Sequence, residues 1–185
     1  MSLAKFLLIL FFMLPITSYA LDADQQQSIT IQADSATFNA TNNQAIYQGH
    51  VELTQGSLTL TSDTLLIQNN SAGVASLTAT GSPASYSQQL TPDKPQVKAT
   101  ATKVIYYPHE QKIELVTQAQ LRQGDSLFQG DHITYDLKQR ILSASGTAEG
   151  KNKSAGRVKM IIPPPPPSQA KTTQQKTTPQ NKAKP

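Results

Sequence analysis

Apolar and polar residues take turns along most of this chain. Ile29-Thr30-Ile31, Val51-Glu52-Leu53, Leu58-Thr59-Leu60, Leu65-Leu66-Ile67, Val104-Ile105-Tyr106, Ile113-Glu114-Leu115 and Ile133-Thr134-Tyr135 each set apolar side chains two residues apart. That spacing puts them on one face of an extended strand. Threonine and β-branched residues are frequent, and breaks rich in Gly or Asn recur about every 8 to 12 residues, the spacing of short antiparallel strands. No window carries a sustained helical stripe, so the body is expected to be all-β. Turns are predicted at residues 40–43, 68–71 and 107–110, where Asn, Pro and polar residues cluster.

The strands repeat. A shift of 68 residues superposes Ala33 on Ala101, Phe38 on Tyr106, Val51 on Ala119, Leu53 on Leu121, Gln55-Gly56 on Gln123-Gly124 and Asp63 on Asp131. Within each half lies a finer hairpin unit. Its openings are Ala33-Asp34-Ser35-Ala36-Thr37-Phe38, Ser62-Asp63-Thr64-Leu65-Leu66-Ile67, Ala101-Thr102-Lys103-Val104-Ile105-Tyr106 and Gly130-Asp131-His132-Ile133-Thr134-Tyr135, spaced by 29, 39 and 29 residues. One hairpin cannot bury an apolar face alone, so the units are expected to stack into two facing sheets or a short solenoid with a continuous interior.

Charge divides the 185 residues into three parts. The first 20 hold only Lys5; residues 21–150 hold seven Lys and Arg against all twelve Asp and Glu, a net of −5; residues 151–185 hold eight basic residues and no acid. The formal +4 therefore belongs to the C-terminal end. Nucleic acid is not an expected partner, because phosphate contact needs clustered Lys and Arg on the folded body. With no cysteine, disulfides and thiolate metal sites are excluded.

At the N-terminus, Lys5 precedes an apolar run from Phe6 to Leu14, and Ser18-Tyr19-Ala20 puts small residues before Leu21. This is the pattern of a secretory signal peptide over residues 1–20, too short for a membrane-spanning helix of roughly 20 residues. The C-terminal segment 163–185 opens with five prolines and continues in Gln, Lys, Thr, Pro and Asn. It is expected to be a disordered basic tail, leaving residues 21–162 as the folded body.

Paired acids and histidines raise the question of catalysis. Asp131-His132, His50 with Glu52, and Glu110 with Glu114 are the candidates. The three histidines fall in separate units, and neither a Ser, His and Asp set nor a His-x-x-x-His spacing is present. No active site, metal site or cofactor is expected. A secreted adhesive β-solenoid is the alternative from another class, and it accounts for the repeats.

The four unit openings, the run Gly49-His50-Val51-Glu52-Leu53-Thr54-Gln55-Gly56 and the segment Gly81-Ser82-Pro83-Ala84-Ser85-Tyr86 resemble the LptA (OstA) family over roughly residues 28–162. The resemblance implies a twisted, V-shaped antiparallel β-jelly roll, open along one side, that carries lipopolysaccharide through the periplasm in head-to-tail stacks. It implies lipid A acyl chains as cargo, with the periplasmic domains of inner-membrane LptC and outer-membrane LptD as partners. LptC itself keeps a membrane helix and the LptD domain precedes a large barrel, so the soluble bridge is the better fit. Under this reading Ile29, Ile31, Phe38, Val51, Leu53, Leu65, Tyr86, Val104, Tyr106, Leu115, Phe128, Ile133 and Tyr135 line the lipid groove, with Leu58, Leu60, Ile67 and Leu121 also facing inward. Tyr86 and Tyr106 are the foremost lipid contacts. An aliphatic and aromatic interior solvates acyl chains, with each buried methylene contributing roughly 0.8 kcal/mol. Ser28, Thr30 and Gln32 at one end, and Val158, Met160 and Ile162 at the other, lie on edge strands without strong blunting devices. Pairing between them would extend the stack.

Overall fold

A computed structural model describes residues 20–146 and 156–164. The expected signal peptide, apart from Ala20, and the expected basic tail beyond Pro164 lie outside the described residues. A short helix, α1 (Ala20–Gln25), is followed by ten strands: β1 (Thr30–Gln32), β2 (Ser35–Asn39), β3 (Gln44–Gln55), β4 (Leu58–Asn70), β5 (Gly73–Gln88), β6 (Val97–Tyr107), β7 (Lys112–Gln123), β8 (Ser126–Asp136), β9 (Ile141–Ser145) and β10 (Lys159–Ile161). All pairings are antiparallel. The all-β expectation holds, and α1 is the element that strand periodicity did not indicate. The predicted turns at 40–43 and 107–110 fall between strands, whereas β4 runs on through Asn69 and Asn70.

Every long strand bends at the same level. The ladder shifts register between Gln48 and Val51, Thr61 and Thr64, Thr80 and Ala84, Thr100 and Lys103, and Val116 and Ala119. These irregularities kink each strand, and Pro83, with no N–H to give to a ladder, sits in one of them. The row of kinks is a crease that divides one ten-stranded sheet into two leaves. The first runs β1-β3-β4-β5-β6-β7-β8-β10; in the second β2 and β9 replace β1 and β10 at the ends.

The 68-residue repeat is written into the backbone. β3 moves onto β7 residue for residue, and the positive-φ residues Asn43, Gly49, His50 and Gly56 move onto Gln111, Thr117, Gln118 and Gly124. β1 and β2 together move onto the unbroken β6. The strand that runs straight through the middle of the stack is thus split in two at its N-terminal end. Broken, short edge strands are a common way to blunt an open sheet edge.

Candidate functional site

The interior consists of rows of side chains that cross the leaves from strand to strand. On the first leaf, register joins Ile31, Leu53, Leu60, Tyr86, Ala99, Leu121, Phe128 and Met160. On the second leaf it joins Phe38, Ala45, Ile67, Leu77, Tyr106, Ile113, Tyr135 and Leu142, and beside them Ala36, Tyr47, Leu65, Ala79, Val104, Leu115, Ile133 and Ala144. Each row crosses eight strands, and the buried members of both leaves form one apolar cluster.

Most expected groove residues occupy the closed middle of this interior. Val51, Leu53, Leu65, Tyr86, Val104, Tyr106, Leu115, Ile133 and Tyr135 are buried, and Ile29, Ile31 and Phe128 are partly buried against the cluster. Phe38 is the departure. It shares the inward row by register but is 65% exposed, because β2 is the last strand of its leaf and no described residue covers it. Tyr86 and Tyr106 stack at a tilt with ring centroids 5.8 Å apart. Burial raises both phenols, that of Tyr106 to about 12, so both stay neutral inside. The expected edge residues fall partly within strands and partly beside them. Thr30, Gln32 and Met160 lie in paired edge strands, while Ser28, Val158 and Ile162 flank them.

Away from the crease the leaves end in turns that face each other across a mouth, and α1 lies over part of it. Asp24 is the anchor. The backbone N–H and hydroxyl of Ser57 donate to its two oxygens at 2.7 and 2.5 Å, and the side-chain amide of Gln88 donates to it at 2.8 Å. Tyr86 in turn donates its hydroxyl to Gln88 Oε1. Gln25 reaches the other leaf, donating to the Pro108 carbonyl at 2.8 Å, and Gln55 donates to the Gln27 carbonyl at 3.1 Å. Asp24 and Gln88 are both buried; a buried polar group costs little once hydrogen-bonded, and here the bonds tie helix to sheet. A pocket of about 230 Å³ remains beside the helix, between Ile29 on one side and Val74 and Pro108 on the other. At the opposite end of the mouth a second cavity of about 240 Å³ reaches Leu121, Phe128, Tyr135 and Leu142.

Sequence reasoning did not find Asp24, Ser57 or Gln88. Their only advance signal is the Gln-rich stretch before β1, which no apolar period marks. The acid and histidine candidates stay apart. His50 pairs with Asp34 at 2.8 Å on the surface, Glu110 and Glu114 flank Lys112, and His132 meets Thr134. Among the described residues no group of three His, Cys, Asp or Glu side chains is placed to hold a metal.

A creased antiparallel sheet with a continuous apolar interior and a mouth along one side is an open β-jelly roll. The chain belongs to the family described as "LptA/(LptD N-terminal domain) LPS transport protein", which it matches over residues 30–141. It is 35% identical over 146 residues to the lipopolysaccharide export system protein LptH of Pseudomonas aeruginosa, covering 77% of this chain and 83% of that protein. It is 32% identical to LptA of Haemophilus influenzae over 73% of this chain and 80% of the relative. The crystal structure of the Pseudomonas LptH, described as the LptA-homologous periplasmic component of the lipopolysaccharide transport device, superposes with a TM-score of 0.70 at 34% identity, covering 76% of this chain and 99% of that one. These relatives are transport proteins, not enzymes.

Proposed function

We propose that this protein carries lipopolysaccharide across the periplasm with its acyl chains in the apolar interior, and that copies stack end to end. The observation that carries this reading is that the inward rows do not close within one molecule. They run through all eight strands and finish on apolar side chains left open at the ends, Phe38 at one and Met160, 52% exposed, at the other. Strand direction alternates along the sheet, so β1 and β10 point oppositely. A second copy adding β10 to β1 continues the antiparallel ladder, joining Met160 to Ile31 and Leu142 to Phe38, and with them one apolar trough. The periplasmic domains of LptC and LptD are the partners that would cap such a stack at the two membranes. Residues 1–20 act as a cleaved signal, residues 21–162 as the carrier and residues 163–185 as a basic appendage.

The test uses two neighbouring exposed residues that face opposite ways. A photo-crosslinking side chain at Phe38, in the inward row, is expected to trap lipopolysaccharide in cells. The same probe at Thr37, opposite Ile46 on the outer face, is expected to give none. Equal labelling at both positions would overturn the groove assignment.

A further inference from the structure

The mouth differs along its length. Toward β1 it is covered by α1; toward β9 no described residue covers it, and the cavity there is rimmed by Lys94 from the loop after β5 and Arg140 from the turn after β8. The loop holds Lys94 by its backbone. The Lys94 N–H donates to the Thr91 carbonyl at 3.2 Å, and its carbonyl accepts from the Gln89 side chain. Lys94 is an exposed residue, as is Arg140. Among the described residues, no carboxylate pairs with either cation within 4.0 Å. Asp136, near Arg140 in sequence, accepts from the Gln139 N–H at 2.6 Å. Arg140 is close enough to Tyr135 to oppose the rise in its pKa that burial causes.

Two cations with no carboxylate partner among the described residues, above an apolar cavity, suit an anionic amphiphile. The geometry points to a headgroup clamp, in which Lys94 and Arg140 hold a phosphate of the lipid whose acyl chain lies among Leu121, Phe128 and Leu142. The inference rests on the carrier reading above and adds which part of the lipid is recognised, and where. Arg offers a planar fork matched to two phosphate oxygens, and Lys a mobile point charge. At the rim both remain hydrated, so the contact is salt-sensitive and releases its cargo easily. Transport needs that property. A second cation pair, Lys98 and Arg122, faces across β6 and β7 on the outside of the sheet. Its hollow is shared with Thr100, Gln120 and Leu127, so it holds one large apolar side chain where the rim cavity holds Leu121, Phe128, Tyr135 and Leu142.

The experiment measures binding of full-length protein to phosphorylated lipid A and to the same lipid with its phosphates removed, with inorganic phosphate as competitor. The unaltered protein is expected to prefer the phosphorylated lipid by about tenfold, the scale of two partly screened charge contacts. Lys94→Ala with Arg140→Ala should abolish that preference and leave binding of the dephosphorylated lipid and the melting temperature unchanged. Lys98→Ala with Arg122→Ala, which removes the same charge elsewhere, should keep it. A preserved preference in the first double variant, or equal loss in both, overturns the clamp. Competition by millimolar inorganic phosphate would mark a free-phosphate site and also overturn it. If the unaltered protein binds neither lipid, the carrier reading falls and the clamp falls with it.

Discussion

His50 shows how much a single position owes to its backbone. It sits in the crease at φ 45° beside Gly49, and this turns its ring outward onto Asp34. The hydrogen bond and charge of Asp34 raise its pKa above 6.5. The sign follows from linkage: the pair contributes fully below the unfolded value near 6.5 and is lost as pH rises through the folded value. A proton NMR titration of His50 is expected to give a midpoint above 6.5 that returns to the ordinary value in Asp34→Asn. No change between the two proteins would mean that the pair does not form in solution. His50 faces solvent, with 92% of its side chain exposed. Its partner sixteen residues earlier could not be read, because that contact depends on how β3 bends.

Among the elements, α1 is the one that distinguishes two turns made equivalent by the 68-residue repeat. Gly56 and Gly124 are 68 residues apart, both at φ +58°, in matching turns. A Cβ on Gly124 would meet only Pro95, at 3.2 Å, but a Cβ on Gly56 would meet Asp24 Oδ1 at 2.2 Å and the Asp24 Cα at 2.9 Å. Gly124→Ala is expected to cost about 1 to 2 kcal/mol, the penalty for a left-handed residue. Gly56→Ala carries the same penalty and also dislodges α1. The check is a pair of chemical denaturation curves with hydrogen exchange of the Ser57 amide, which should lose protection only in Gly56→Ala. Equal behaviour of the two variants would mean that α1 is not seated against this turn. The strands were legible because period two over a half-buried sheet leaves a direct imprint on the chain. A six-residue helix held by Asp24, Ser57 and Gln88 leaves none, since polar contacts between distant segments have no period.

In the molecule as a whole, the position of a residue in the stack overrides its position in the repeat. Phe38 and Tyr106 are equivalent under the 68-residue shift and lie in one inward row, yet Tyr106 is 1% exposed and Phe38 65%. One has strands on both sides and the other has solvent on one. If stacking supplies the missing neighbour, Phe38 meets Leu142 of the next copy. The chain has no cysteine, so Phe38→Cys with Leu142→Cys reports this contact without background. Directly opposed strand positions are close enough for a disulfide. Oxidation should give a ladder of linked species on a non-reducing gel, and linkage that stops at dimers would exclude an open-ended stack. The alternation of apolar residues and the 68-residue repeat determined the strands, their inward faces and the all-β architecture, because those depend only on neighbours along the chain. The crease, the seating of α1 over one end of the mouth, and the placing of Lys94 and Arg140 on one cavity were decided by folding, because each depends on segments far apart in sequence being brought to one place.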